Sequence, residues 1–178
     1  MPTNLAAPLG LDKDLVYKFF LYFSRFEYAL KQAGFATGGK KWAKPAWDRF
    51  AISLRGKFDS VTADEFKEAI RYLDSKPPKK QVLECGHLGW ADNKDDGSPS
   101  KEKWILHLVQ AVRNNLFHGG KYPCGSVDHL ERDRQLLEAC LTVMEQSLEF
   151  SPKVKQWFFS DDWIEGEENG LRLISAHR

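Results

Sequence analysis

From Leu11 to Ala33, apolar side chains return every three or four positions, at Leu15, Phe19, Phe23, Phe26, Leu30 and Ala33. One continuous stripe at that period marks an amphipathic helix. Gly34 and the TGGKK segment close it. A second helix is predicted from Pro45 to about Lys57, with Pro45 suited to a first turn. A third starts at Thr62, which with Glu65 three residues later spells a capping box. Phe66, Ile70 and Leu73 form its apolar line, and Pro77-Pro78 stops it. Residues 75–100 read as a long connection rich in breakers and charge, with VLECGHLGW as a short ordered piece packed on the bundle.

The fourth predicted helix runs from about Ser100, a cap residue, to Phe117. Its stripe is Trp104, Ile105, Leu108, Val109, Val112 and Leu116, and Gly119-Gly120 ends it. The fifth spans about Val127 to Phe150. One face carries Leu130, Leu137, Cys140, Leu141, Met144 and Leu148, and Leu136, Val143 and Phe150 add a second line at a spacing of seven. So wide an apolar surface suits a helix packed on two sides, with a dimer interface as one reading of the second line. The expected architecture is therefore all-α, a bundle of four or five principal helices. It comprises a flexible leader over 1–10, a helical domain over 11–150 and an extension over 151–178.

Composition narrows the function classes. The chain has 178 residues and a net charge of +1, so no global field recruits nucleic acid or membrane, and an RNA partner would need a local basic patch. No apolar run reaches the roughly 20 residues of a membrane span. Cys85, Cys124 and Cys140 are odd in number and widely spaced, and no signal peptide is evident. Reduced thiols and a cytoplasmic location are expected. Cys85, His87, Cys124 and His129 have a spacing that falls short of a zinc pattern, and no metal or cofactor is expected.

The sharpest chemistry lies in AVRNNLFHGGK, residues 111–121. Arg113 and His118 are five residues apart, about 140° around an unbroken helix, whereas Asn114 and His118 share a line. The glycines let the chain leave the helix there, so a guanidinium, an amide and an imidazole gather at a helix C-terminus. Arginine grips phosphate oxygens bidentately and keeps its charge. Histidine takes or gives a proton near neutral pH. No carboxylate cluster stands beside the motif, so a metal is not its natural partner. Two further residues are candidates for support. Glu27, on the line of Phe20, would orient Arg113 or His118, or else form a boundary salt bridge. Lys121 would touch a phosphate, or else stay solvated. His107 shares the line of Asn114 and reads as a surface or supporting histidine.

Arg113-Asn114-x-x-x-His118 resembles the R-x4-6-H motif of the HEPN superfamily in residue type, spacing and position on the penultimate long helix. The aromatic opening helix, FFLYFSRFEYALK, is similar to the first helix of several bacterial HEPN families. The resemblance covers roughly residues 11–150. It implies a metal-independent endoribonuclease that dimerises and joins two motifs in one cleft. The ribose 2′-hydroxyl would attack the adjacent phosphate, leaving a 2′,3′-cyclic phosphate and a 5′-hydroxyl. Arg113 would bind the scissile phosphate, His118 would be acid or base, and Asn114 would orient them. A toxin or phage-defence role, with an antitoxin or regulatory partner protein, is the biology implied. One toxin subgroup of the superfamily carries a modifiable tyrosine two residues after the histidine, where this chain has Gly120. The reading from a different class is a catalytically silent HEPN-like module that binds RNA or a nucleotide.

Overall fold

The computed structural model describes residues 11–95, 97–117 and 127–160, with the side chains of 127–129 excepted. Among them are six α-helices, one short 3-10 turn and two small antiparallel sheets of two strands each. The expectation of an all-α bundle is therefore corrected: two stretches read from sequence as connections are hairpins.

Helix α1, Lys13–Gln32, begins where the Asp12 carboxylate accepts from the Asp14 and Leu15 amides at 2.8 and 3.4 Å. Its end is closed by the Phe35 amide, which donates to the Leu30 carbonyl at 2.8 Å. The predicted stripe is real: Phe19, Phe23, Phe26, Leu30 and Ala33 are all buried. The chain then forms hairpin β1 (Ala36–Gly39) and β2 (Trp42–Pro45), and enters α2 (Trp47–Ser53) and the 3-10 turn Phe58–Ser60. The second predicted helix is thus shorter than expected at both ends. Helix α3 is Asp64–Ser75, with Ala63 at its cap position and no side-chain cap bond, so the capping box read at Thr62 does not form.

Hairpin β3 (Lys80–Glu84) and β4 (His87–Ala91) occupies the supposed connection. Its two turn residues, Cys85 and Gly86, both have positive φ, 49° and 83°, the backbone of the tight turn that matches strand twist. Val82 and Ala91 are half-buried on the inner face, where β3 contacts α4. Leu83, Leu88 and Trp90 line the outer face and are exposed. Helix α4, Lys101–Phe117, starts as predicted on Ser100, whose hydroxyl accepts from the Lys103 amide at 3.2 Å. Helix α5 is Val127–Glu149 and α6 is Pro152–Phe159.

The core is assembled around α5, which packs on α1, α3, α4 and α6. Against α2, Phe26 stacks on Trp47 with ring centroids 5.2 Å apart and planes at 13°, and it meets Phe50 and Phe158 edge-on. The second apolar line of α5 is not an interface. Leu136 and Val143 are buried within this same core, and Phe150 packs against it. The wide apolar surface is explained by neighbours from the chain itself. Burial also raises the thiol pKa of Cys140, which keeps it protonated and unreactive.

Leu136→Ala should cost about 2–5 kcal/mol, the usual range for truncating a buried leucine. Urea unfolding at two protein concentrations checks this. The loss relative to wild type should be the same at both concentrations, whereas a loss that grows on dilution would place Leu136 between subunits.

Candidate functional site

Helix α4 has one face in the core and one outside, and the motif sits where the two meet. Val112 and Leu116 are buried, Arg113 is half-buried, and Asn114 and Phe117 are exposed. The α4 residue Arg113 lies over α1: its guanidinium carbon is 5.6 Å from the Phe23 ring centroid and 6.0 Å from that of Phe117. Phe117 in turn meets Phe20 edge-on at 5.3 Å. Two rings thus flank the cation, and ring faces attract a guanidinium electrostatically. Phe23 is itself held by Trp47, at 5.3 Å between centroids.

The Asn114 side-chain Oδ1 accepts from Arg113 Nη1 at 3.1 Å. Its neighbour turns elsewhere. Asn115 Nδ2 donates to the Lys79 carbonyl at 2.6 Å, and Asn93 Nδ2 donates to the Pro78 carbonyl at 2.6 Å. Arg132 holds the Lys76 and Pro77 carbonyls of the same turn from α5. The entry to hairpin β3–β4 is therefore tied to the motif helix. Nothing in the sequence singles out Asn115, because adjacent asparagines point about 100° apart on a helix and only tertiary structure says what each meets.

The remaining candidates separate. Glu27 accepts from the Trp47 indole Nε1 at 3.0 Å, so its carboxylate supports the aromatic layer under Arg113. His107 is exposed and stacks on Trp104, with centroids 6.0 Å apart and planes at 20°. The indole of Trp104 donates to Asp74 at 2.8 Å. His118, Lys121, Gly119 and Gly120 lie outside the described residues, as do Cys124 and the side chain of His129. Cys85 and His87 are exposed near the tip of hairpin β3–β4, and among the described residues no group of three or more His, Cys, Asp or Glu side chains is placed to hold a metal ion.

The rim of the motif is apolar. Tyr17, Phe20 and Leu21 of α1 are 63%, 44% and 46% exposed, and Phe117 is 39% exposed. Each falls off the main apolar stripe of its helix, so periodicity alone does not mark it. Tyr22, facing the other way, meets the Phe158 ring at 4.6 Å with the planes tilted by 44°. Burial first, then Glu145 and Glu149, drive its pKa up, so its phenol stays neutral.

Asn115→Ala should speed amide exchange over residues 80–91 while lowering global stability by only about 0.5–1.5 kcal/mol, the net worth of one hydrogen bond. Hydrogen exchange read by mass spectrometry checks it. Unchanged protection would mean that the hairpin is held by other contacts.

Among described residues, no helix is long and apolar enough to cross a membrane. Comparison with protein-family models, with curated proteins and with solved structures finds no match to this chain.

Proposed function

We propose that this chain is a metal-independent endoribonuclease of the HEPN type. The observation that carries the reading is the setting of Arg113, a permanent cation near the Phe23 and Phe117 rings and hydrogen-bonded to Asn114, five residues before His118 in the sequence. A guanidinium held in one orientation suits bidentate contact with a phosphodiester. An imidazole five residues on supplies the acid–base group that 2′-hydroxyl attack needs.

In this reaction the ribose 2′-oxygen forms a bond to phosphorus and its proton passes to His118. The bond from phosphorus to the 5′-oxygen breaks, and that oxygen takes a proton from the protonated histidine of a second copy. Arg113 neutralises the charge that builds on the non-bridging oxygens. The products are a 2′,3′-cyclic phosphate and a 5′-hydroxyl. Two copies are required, and the exposed rim of Tyr17, Phe20, Leu21 and Phe117 beside the motif is the surface on which they would meet. A two-fold contact there pairs each motif with its copy. A toxin or defence role, restrained by an antitoxin or other regulatory protein, fits such an activity.

The test is incubation of the purified chain with single-stranded RNA in EDTA. Wild type should cleave and leave cyclic phosphate ends. Arg113→Ala and His118→Ala should each lose about 10²- to 10⁴-fold in rate while staying folded. Mixed refolding of the two variants should restore part of the activity. Strict dependence on added Mg²⁺, or cleavage at a 2′-deoxy position, would overturn the mechanism. RNA binding without any cleavage would leave a silent module.

A further inference from the structure

The hairpin β1–β2 carries an unusual surface for a chain of net charge +1. Between Glu27 and Asp48 the sequence holds Lys31, Lys40, Lys41 and Lys44 and no acidic residue. All four lysines are exposed. Asp48 pairs with Lys103 at 2.9 Å, and the Glu27 carboxylate is turned to the Trp47 indole, so neither forms an ion pair with a hairpin lysine. At the tip, Trp42 is 56% exposed, the most exposed tryptophan of the described residues.

The indole is also held in place. A Cβ built on Gly38, whose φ is +125°, would lie 2.4 Å from the Trp42 carbonyl oxygen and 2.8–2.9 Å from the indole ring. Only glycine lets the ring lie against the opposite strand. The Lys44 ammonium sits 4.7 Å from the centroid of the same ring. Arg49 donates to the Ala36 carbonyl at 3.2 Å and fastens the hairpin to α2. The hairpin therefore presents an oriented aromatic plane among lysines, in a stretch of sequence without an acidic residue.

We infer that hairpin β1–β2 is a single-stranded RNA contact in which a base stacks on Trp42 and Lys40, Lys41 and Lys44 take the flanking phosphates. Aromatic planes bind bases of any sequence, and point charges track the backbone. A membrane surface fits less well, because one indole without further apolar neighbours buries little area in lipid. The hairpin is linked to the motif. Pro45 ends β2 two residues before Trp47, and Trp47 packs on Phe23, over which Arg113 lies. Along α1, Phe23 and the Gln32 end are nine residues apart, about 14 Å at 1.5 Å per residue. The apolar rim lies toward the other end of α1. One end of the helix is then left for a second copy and the other for the strand that enters the cleft. The inference deepens the nuclease reading and rests on it for its biological meaning.

The experiment is fluorescence anisotropy of the full chain with a labelled 2′-O-methyl oligouridine, which cannot be cut by 2′-hydroxyl attack. Trp42→Ala should weaken binding roughly 5- to 100-fold, the usual worth of one stacked base. Trp42→Phe should stay within about twofold, since a phenyl ring still stacks. Lys40→Ala with Lys41→Ala should lower the slope of log affinity against log salt by about 1.4, two single-strand phosphate contacts. The same variants are then assayed for cleavage of unmodified RNA. Hairpin-dependent binding without cleavage by wild type would keep this inference and sink the nuclease. Cleavage and binding both untouched by the variants would do the reverse. Absence of oligonucleotide binding by wild type would overturn the inference, as would Trp42-dependent binding of phosphatidylserine vesicles in its place.

Discussion

The packing of Phe23 and Phe26 of α1 against Trp47 of α2 is the contact on which the rest depends. It is made first by burial: Phe23 and Trp47 are nearly inaccessible to water, and Phe26 wholly so. Aromatic side chains bring large buried areas and preferred geometries together, so the pair locks the crossing of the two helices as well as stabilising it. The same ring of Phe23 is the floor under Arg113. Core and candidate site therefore share a residue, and anything that loosens the aromatic layer also loosens the cation. Glu27 braces this layer from its edge, where its carboxylate accepts from the Trp47 indole.

How much of this was legible in the sequence depends on element length. The long helices were readable because a stripe such as Leu15–Phe19–Phe23–Phe26–Leu30 repeats the period often enough to exclude other readings. Strands of four or five residues offer only two or three alternations, and the hairpins here are mostly exposed. Their polar and glycine-rich residues look the same as those of a loop. In β3–β4 the turn residue Cys85 takes a left-handed backbone that its residue type does not advertise. The Thr62 box failed for a related reason: capping needs the right backbone at the right position, and here Ala63 takes it.

The second line of α5 shows a different limit. Leu136, Val143 and Phe150 were visible as apolar, but periodicity cannot say whether the neighbour comes from the same chain or another. Four helices of this chain surround α5, so the surface is used up internally. Arg113 and Asn114 stood out as candidates by residue type, at the end of a strongly periodic helix. Their support did not, because Phe20, Phe23 and Trp47 look like any other core aromatics until their rings are placed. Asn115 is the extreme case, identical in type to Asn114 and opposite in use.

Helix α6 has a practical consequence for anyone handling this chain. Val154 and Phe158 are buried in the same core as α1, and the Phe158 ring closes over Phe26 and Tyr22. Arg25 grips the carbonyls of Phe158 and Ser160, which pins the last turn to α1. A truncated clone stopping at residue 150 would expose the underside of the aromatic layer and remove the Phe158 and Ser160 carbonyls from Arg25. Expression boundaries, affinity tags and fusion partners should therefore leave α6 and Ser160 intact.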